Sequence, residues 1–300
     1  MSISLCMIVR DEEHYLEKTL QSVQGLVDEI IIVDTGSVDQ TIRVAKKYTN
    51  KIFLYKWDHD FSKARNFALN KATKDWILVL DADETINKED HELIKELTKS
   101  KQYDAYSLVQ VSYTNNQKLL GFKMLERRAP EAKDFVGYIS CNIIRLFRNN
   151  KLITFTNPVH ESVDKSIKDR NKVIQTAIPI HHYQFEKGEH VHKAKQMNYL
   201  KIYEDKMDQF ENKAKVYRDM GIIYYNFKED YPKAIQSYKK SLLLNPNNLK
   251  TYLGLAIAYL KNKQLEEATA ILNEAEKIAP QNQDIRKLKQ YLQRVRELQK

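Results

Sequence analysis

The segment Trp76-Ile77-Leu78-Val79-Leu80-Asp81-Ala82-Asp83-Glu84 narrows what this chain can fold into more than any other. Its apolar run ends abruptly at three carboxylates. A continuous apolar run of this length reads as a strand buried on both faces of an α/β sheet. Carboxylates at its C-terminal end fall where open α/β sheets bind ligands. Asp81 and Asp83, two apart on an extended chain, point the same way. Such a pair holds a hard divalent cation through oxygen and leaves coordination sites for phosphate. The alternative reading is a solvated turn in which Glu84-Thr85 caps the next helix.

The segments around this run alternate between strand and helix. Ile3–Val9 reads as a strand, residues 13–23 as a helix, and Glu29–Asp34 as a second buried strand. Thr35-Gly36-Ser37 is a tight turn, after which Ser37 or Asp39 caps a helix reaching about Tyr48. Residues 52–57 form a third strand, 61–72 a third helix, and 76–81 the fourth strand. Alternation of this kind predicts a mainly parallel sheet with right-handed crossovers. After Ser100 the pattern becomes irregular. Residues 105–113, 142–147 and 172–183 read as strands of a mixed-sheet second half that shapes an acceptor site.

From about His190 the pattern is helical throughout and repeats at about 34 residues. In 249–282, Tyr252, Leu255, Ala256, Tyr259, Ala268, Leu272, Ala275 and Pro280 occupy tetratricopeptide positions. In 214–248 the same places hold Tyr217, Met220, Gly221, Tyr224, Ala234, Tyr238, Ser241 and Pro246, with one inserted residue. Residues 283–300 read as the polar capping helix that a stacked array needs at its open end. The expected division is therefore 1–189 and 190–300.

Composition excludes several classes. The two cysteines, Cys6 and Cys141, are far apart, which argues against a disulfide framework and for a reducing compartment. No apolar run reaches the length of a membrane span, and the N-terminal strand does not read as a signal peptide. The expectation is a cytoplasmic protein with at most peripheral contact at the inner face of a membrane. The net charge of +9 is concentrated from Gln184 onward, where 22 Lys and Arg face 15 Asp and Glu. That excess suits a solvated helical face, an acidic partner or anionic lipid. No nucleic-acid motif accompanies it. The turn after the first strand lacks a Gly-rich dinucleotide fingerprint, and no P-loop is present.

A family resemblance rests on several motifs in order: Leu5-Cys6-Met7-Ile8-Val9-Arg10-Asp11-Glu12-Glu13, Val33-Asp34-Thr35-Gly36-Ser37, Ala64-Arg65-Asn66 and Asp81-Ala82-Asp83-Glu84. Together they resemble family-2 glycosyltransferases of the GT-A fold, a Rossmann-like nucleotide-diphospho-sugar transferase fold. Ile144-Arg145-Leu146-Phe147-Arg148-Asn149, Val159-His160-Glu161 and His182-Tyr183 are similar to one branch. That branch includes lipopolysaccharide-core glucosyltransferases and SunS-type S-glycosyltransferases, and many of its members carry tetratricopeptide repeats after the catalytic domain.

The resemblance implies a UDP-sugar donor and a divalent metal, Mn²⁺ or Mg²⁺. It makes Asp83 the more direct metal ligand, gives Asp81 a share of metal and ribose, and adds His182, with His181 as its rival. Val9, Asp11, Glu12, Asp34, Arg65, Asp81 and Ala82 would line the nucleotide-sugar. A carboxylate at Asp34 accepts an imide N–H; its alternative is helix capping. A guanidinium at Arg65 suits base carbonyl and phosphate; its alternative is a surface salt bridge. An acceptor nucleophile needs a base. Glu161 is the first candidate, with His160 and Asp164 as rivals. A single carboxylate base implies one displacement with inversion. The acceptor would be a peptide (Cys or Ser) or a glycan, and the repeats would grip a peptide or form a homodimer. The alternative from another class is a partner-binding scaffold with an inactive GT-A domain.

Overall fold

The computed structural model describes residues 1–298 apart from Lys118, Leu120 and Arg128. The chain divides into two compact units, Met1–His190 and Val191–Lys300.

In the first unit the strands are β1 (Ile3–Val9), β2 (Glu29–Asp34), β3 (Ile52–Leu54), β4 (Trp76–Val79), β5 (Glu84–Thr85), β6 (Ala105–Thr114), β7 (Lys123–Met124), β8 (Gly137–Arg148) and β9 (Val173–His182). Among the described residues they form one sheet in the order β3-β2-β1-β4-β8-β6-β9-β5, with β7 beside β8. β1 runs parallel to β2 and β4, and β2 to β3, as the strand–helix alternation requires. β8 is antiparallel to β4 and β6, so the second half is mixed.

Both faces are buried, which explains the unalternating strands. Ile3, Leu5, Met7 and Val9 of β1 pack on one side with Leu16 and Leu20 of α1 (Leu16–Ser22) and Ile94 of α4 (His91–Lys99). Cys6, Ile31 and Val33 pack on the other side with Ala68 and Leu69 of α3 (Phe61–Leu69).

Two local expectations are corrected, and the alternative reading of Glu84-Thr85 is not the one observed. α1 begins at Leu16, later than residue 13, because the chain before it is tied to the loop after β2. Glu12 N donates to Thr41 Oγ1 at 2.7 Å and Glu13 N to Asp39 Oδ2 at 3.1 Å. The helix after β2, α2, is only Thr41–Ala45, with Asp39 Oδ1 accepting from Thr41 N at its start. Glu84-Thr85 caps no helix: it is a short strand, antiparallel to the end of β9.

The second unit is helical: α5 (Glu189–Lys206), α6 (Lys213–Ile223), α7 (Tyr231–Leu244), α8 (Leu249–Lys261), α9 (Leu265–Ile278) and α10 (Gln283–Leu298). The last two residues of the expected capping helix, 299 and 300, lie outside the described residues. Asn212, Asp230 and Asn248 cap α6, α7 and α8 through their side chains. The inserted residue of the first repeat falls between Tyr224 and Ala234. There the backbone forms a π turn, Tyr224–Lys228, ending at Glu229 in the left-handed region. A π turn absorbs one extra residue without breaking the helix, so both repeats keep the same buried positions. No helix among the described residues is long and apolar enough to cross a membrane.

Candidate active site at the strand ends

The strand order reverses between β1 and β4, and ligands of open α/β sheets bind outside the C-terminal strand ends at such a point. Asp81 and Asp83 follow β4 there. Their turn is held by its own neighbours: Thr19 Oγ1 donates to Ala82 O at 2.6 Å, and Asp81 N donates to Glu84 Oε2 at 2.7 Å. Glu84 is fully buried, and its side chain supports this loop.

The β5–β9 pairing brings distant residues together. Glu84 stands opposite His182, and Tyr183 N donates to Asp83 O at 3.0 Å. His182 Nε2 is thereby 3.6 Å from Asp83 Oδ1. Its Nδ1 is 3.0 Å from Ser112 Oγ, which also accepts from Gln184. Anchoring one imidazole nitrogen orients the other toward Asp83. His181, its neighbour, faces elsewhere: its Nδ1 is 2.7 Å from Tyr113 Oη, on which the ring stacks.

Asp81 sits between two guanidiniums. Arg65 Nη2 donates to Oδ1 at 2.6 Å and Arg145 Nη2 to Oδ2 at 3.0 Å. Arg65 Nε donates to Glu161 Oε1 at 2.6 Å, and Arg145 also reaches Glu84 at 3.0 Å. Glu161, Arg65, Asp81, Arg145 and Glu84 thus form one alternating chain of charge. Its position depends on a β-bulge. Tyr106 of β6 pairs with Leu146 and Ser107 with Ile144, leaving Arg145 as the extra residue of β8. The bulge aims that side chain into the cluster.

A third cation completes the site. Lys187 Nζ contacts Glu12 Oε1 and Oε2 at 2.6 and 2.8 Å and Asp83 Oδ2 at 2.9 Å. Counting these groups, five carboxylates (Glu12, Asp81, Asp83, Glu84, Glu161) surround three cations (Arg65, Arg145, Lys187).

The electrostatics follow from these contacts. Burial alone would raise the Asp81 pKa, but Arg145 and Arg65 hold it well below the usual carboxylate range. Burial also opposes ionisation of Asp83, which His182 and Lys187 overcome, so it is lowered too. Burial would lower the His182 pKa; the Asp83 carboxylate raises it. For Glu12 burial prevails over Lys187, and its pKa is raised.

Most of the sequence candidates meet here, though not all in the expected way. Asp81, expected to share metal and ribose, has one oxygen bonded to Arg65 and the other to Arg145. Ala82, expected to line the donor, has its side chain in the core and its carbonyl accepting from Thr19. Val9 is likewise a core residue, its carbonyl accepting from Thr35 N at 3.0 Å. Asp34 caps no helix: it accepts from Gly36 N and Ser37 N and closes the turn after β2. Asp11, with φ of +54°, accepts from Val38 N at 2.8 Å and shapes the rim between two loops. His160 is exposed with φ of +54°, and Asp164 is tied to Arg170 at 3.2 Å. Sequence reasoning missed Arg145 and Lys187 as site residues. Arg145 stood within a quoted motif; Lys187 carried no signal beyond lying five residues past His182.

A charged cluster at the strand ends of an α/β sheet covered on both faces defines the class. The family model for glycosyl transferase family 2 matches residues 4–160, and the chain belongs to that family. A tetratricopeptide-repeat model matches residues 228–292. The chain is 42% identical to a TPR repeat-containing protein of Synechococcus elongatus over 55% of this chain and 36% of that protein. It is 30% identical to an uncharacterized glycosyltransferase of Rickettsia bellii, over 60% of this chain and 59% of the relative. The glycosyltransferase SunS of Bacillus subtilis is 28% identical over 53% of this chain and 34% of its own length. The chain thus spans about a third to three fifths of these relatives.

Proposed function

We propose that this protein transfers a sugar from a UDP-sugar to an acceptor nucleophile with inversion, with a divalent metal held by Asp83 and His182. The observation that carries the reading is the backbone closure of β5 on β9, which sets an oriented imidazole against the one carboxylate of the Asp-Ala-Asp turn that no arginine claims. Among the described residues no three His, Cys, Asp or Glu side chains are arranged to hold a metal ion by themselves. Asp83 and His182 therefore fit an open site, completed by donor phosphate oxygens and water, and their mixed oxygen and nitrogen donors suit Mn²⁺. When bound, such an ion supplies Lewis-acid stabilisation of the departing diphosphate.

The chain's own residues do the rest. Arg65 and Arg145 fix Asp81 at the floor, beside the place where the ribose and diphosphate would lie. Glu161, oriented by Arg65, takes the acceptor proton as the acceptor atom bonds to the sugar C1 and the C1–phosphate oxygen bond breaks. UDP leaves with that electron pair. The acceptor class we propose is a peptide thiol or hydroxyl or a glycan hydroxyl, with tetratricopeptide repeats as a surface for a polypeptide.

The test is UDP-sugar hydrolysis with Mn²⁺, comparing the full chain with Asp83→Ala. Loss of turnover by on the order of a hundredfold or more is expected. Absence of both donor binding and metal-dependent turnover in the unmodified chain would leave only the scaffold reading.

A further inference from the structure

Lys187, although it too lies between two carboxylates, differs from the other two cations of the site in exposure and in the flexibility of its side chain. Arg65 and Arg145 are 7% and 4% exposed, and each is locked between two carboxylates. Lys187 is a hydrated point charge on a flexible four-carbon stem. Its side chain retains 16% exposure and touches the oxygens of Glu12 and one oxygen of Asp83. The short turn that carries it, Gln184–Lys187, begins at Tyr183, whose N–H is bonded to Asp83 O, and ends at Gly188. Gly188 has φ of +83° and ψ of 164°, a region essentially reserved for glycine. Backbone geometry at both ends therefore delivers this ammonium to Asp83.

Asp83 Oδ2 is also an oxygen a divalent ion would use. An ammonium and a divalent cation repel each other across one carboxylate, so both do not hold Asp83 at full strength. A diphosphate changes the balance, because its negative charge compensates both.

We propose that Lys187 is a tethered counter-ion that holds Asp83 while the donor is absent, yields that carboxylate to the metal when the donor enters, and then, still held by Glu12, faces the diphosphate. The proposal rests on Asp83 and His182 being the metal pair. It makes metal and nucleotide binding mutually reinforcing, and such coupling is reciprocal.

The test measures Mn²⁺ binding to the full chain by electron paramagnetic resonance of the unbound ion, with and without UDP as the probe. Wild type, Lys187→Met, Lys187→Gln and Lys133→Met are compared. Lys133 is the control for charge alone: it pairs with Glu186, one residue before Lys187. Without UDP, both Lys187 variants are expected to bind Mn²⁺ tighter, on the order of tenfold. With Mn²⁺ saturating, UDP is expected to bind them more weakly by a similar factor, while Lys133→Met moves neither. Lys187→Gln keeps a donor for Glu12, so the turn is preserved should the methionine variant fail to fold. Mn²⁺ affinity unchanged or weaker in the Lys187 variants overturns the proposal and leaves the metal pair intact. An equal gain in Lys133→Met overturns it as well. Failure of every variant and of wild type to bind Mn²⁺ removes the metal pair itself, and the proposal with it.

Discussion

The two units solve the problem of burial in opposite ways. In the α/β unit charged groups are inside: Glu29, Asp83, Glu84, Arg65 and Arg145 are all buried. In the helical unit the buried polar residues, among the described ones, are Ser237, Ser241 and Thr251, and the rest of the interior is apolar. A buried ion pair contributes little net stability against an apolar replacement, yet removing one partner is costly. The α/β unit therefore keeps its charges for a site, whereas the helical unit is organised around packing.

Breaking one link of the charge chain gives the largest expected effect on stability. Among the described residues, Arg145→Met takes the only guanidinium contact from Glu84 and leaves Asp81 with Arg65 as its one guanidinium. The α/β unit is expected to lose about 3–5 kcal/mol, read as an earlier first transition in urea unfolding followed by tryptophan fluorescence. Both tryptophans, Trp57 and Trp76, lie in that unit. An unchanged midpoint would show that the cluster relaxes into solvent.

Acid should separate the units next. Glu29 begins β2 and is held by Lys51 and Ser4 and by Thr73 N–H and Oγ1 at 2.9 and 2.8 Å. Burial opposes its ionisation, but these partners bring its pKa from 4.5 down to about 2. A carboxylate whose pKa is lower folded than unfolded stabilises the fold above the unfolded value and loses that contribution as pH falls through the folded one. Glu29 contributes up to about 3 kcal/mol at neutral pH, of which about 2 kcal/mol is gone by pH 3. Asp81 and Asp83, also lowered, act in the same direction. Urea midpoints at pH 7 and pH 3 should fall more for the fluorescence transition than for the helical signal near 222 nm.

The same contrast explains what was legible in the sequence. Buried-strand runs and the 34-residue spacing are properties of consecutive residues, so the α/β order, the repeats and the inserted residue could be read directly. Asp83, Arg65, Glu161 and His182 could be named because each sits in a motif. The division of labour between Asp81 and Asp83 followed only from the family resemblance, and the cations that reach each carboxylate could not be read. Arg145 reaches Asp81 through a bulge, a register event between paired residues more than 30 apart in the chain. Lys187 reaches Asp83 because β5 pairs with β9. For Val9 and Ala82 the side-chain environment was hidden for the opposite reason: a motif position says nothing of which face of the chain meets the core.

The smallest expected effect tests whether packing governs the helical unit. Tyr238, 4% exposed, has its ring against two glycines. A Cβ on Gly221 would lie 2.7 Å from the ring and one on Gly254 2.9 Å. In an exposed helix Gly→Ala gains about 1 kcal/mol. Here Gly221→Ala is expected to lose about 1–2 kcal/mol, because overpacking outweighs propensity and the opposite glycine leaves the ring little room to retreat. The second repeat shows the alternative solution, with Ala256 where the first has Gly221 and Leu272 where it has Tyr238. Both Ala256 and Leu272 are fully buried. Gly221→Ala combined with Tyr238→Leu should therefore cost less than the sum of the two single changes, with coupling of about 1 kcal/mol in a double-mutant cycle read at 222 nm. Strict additivity would mean that the ring and the glycine do not sense each other, and that the two repeats reached their different residues independently of packing.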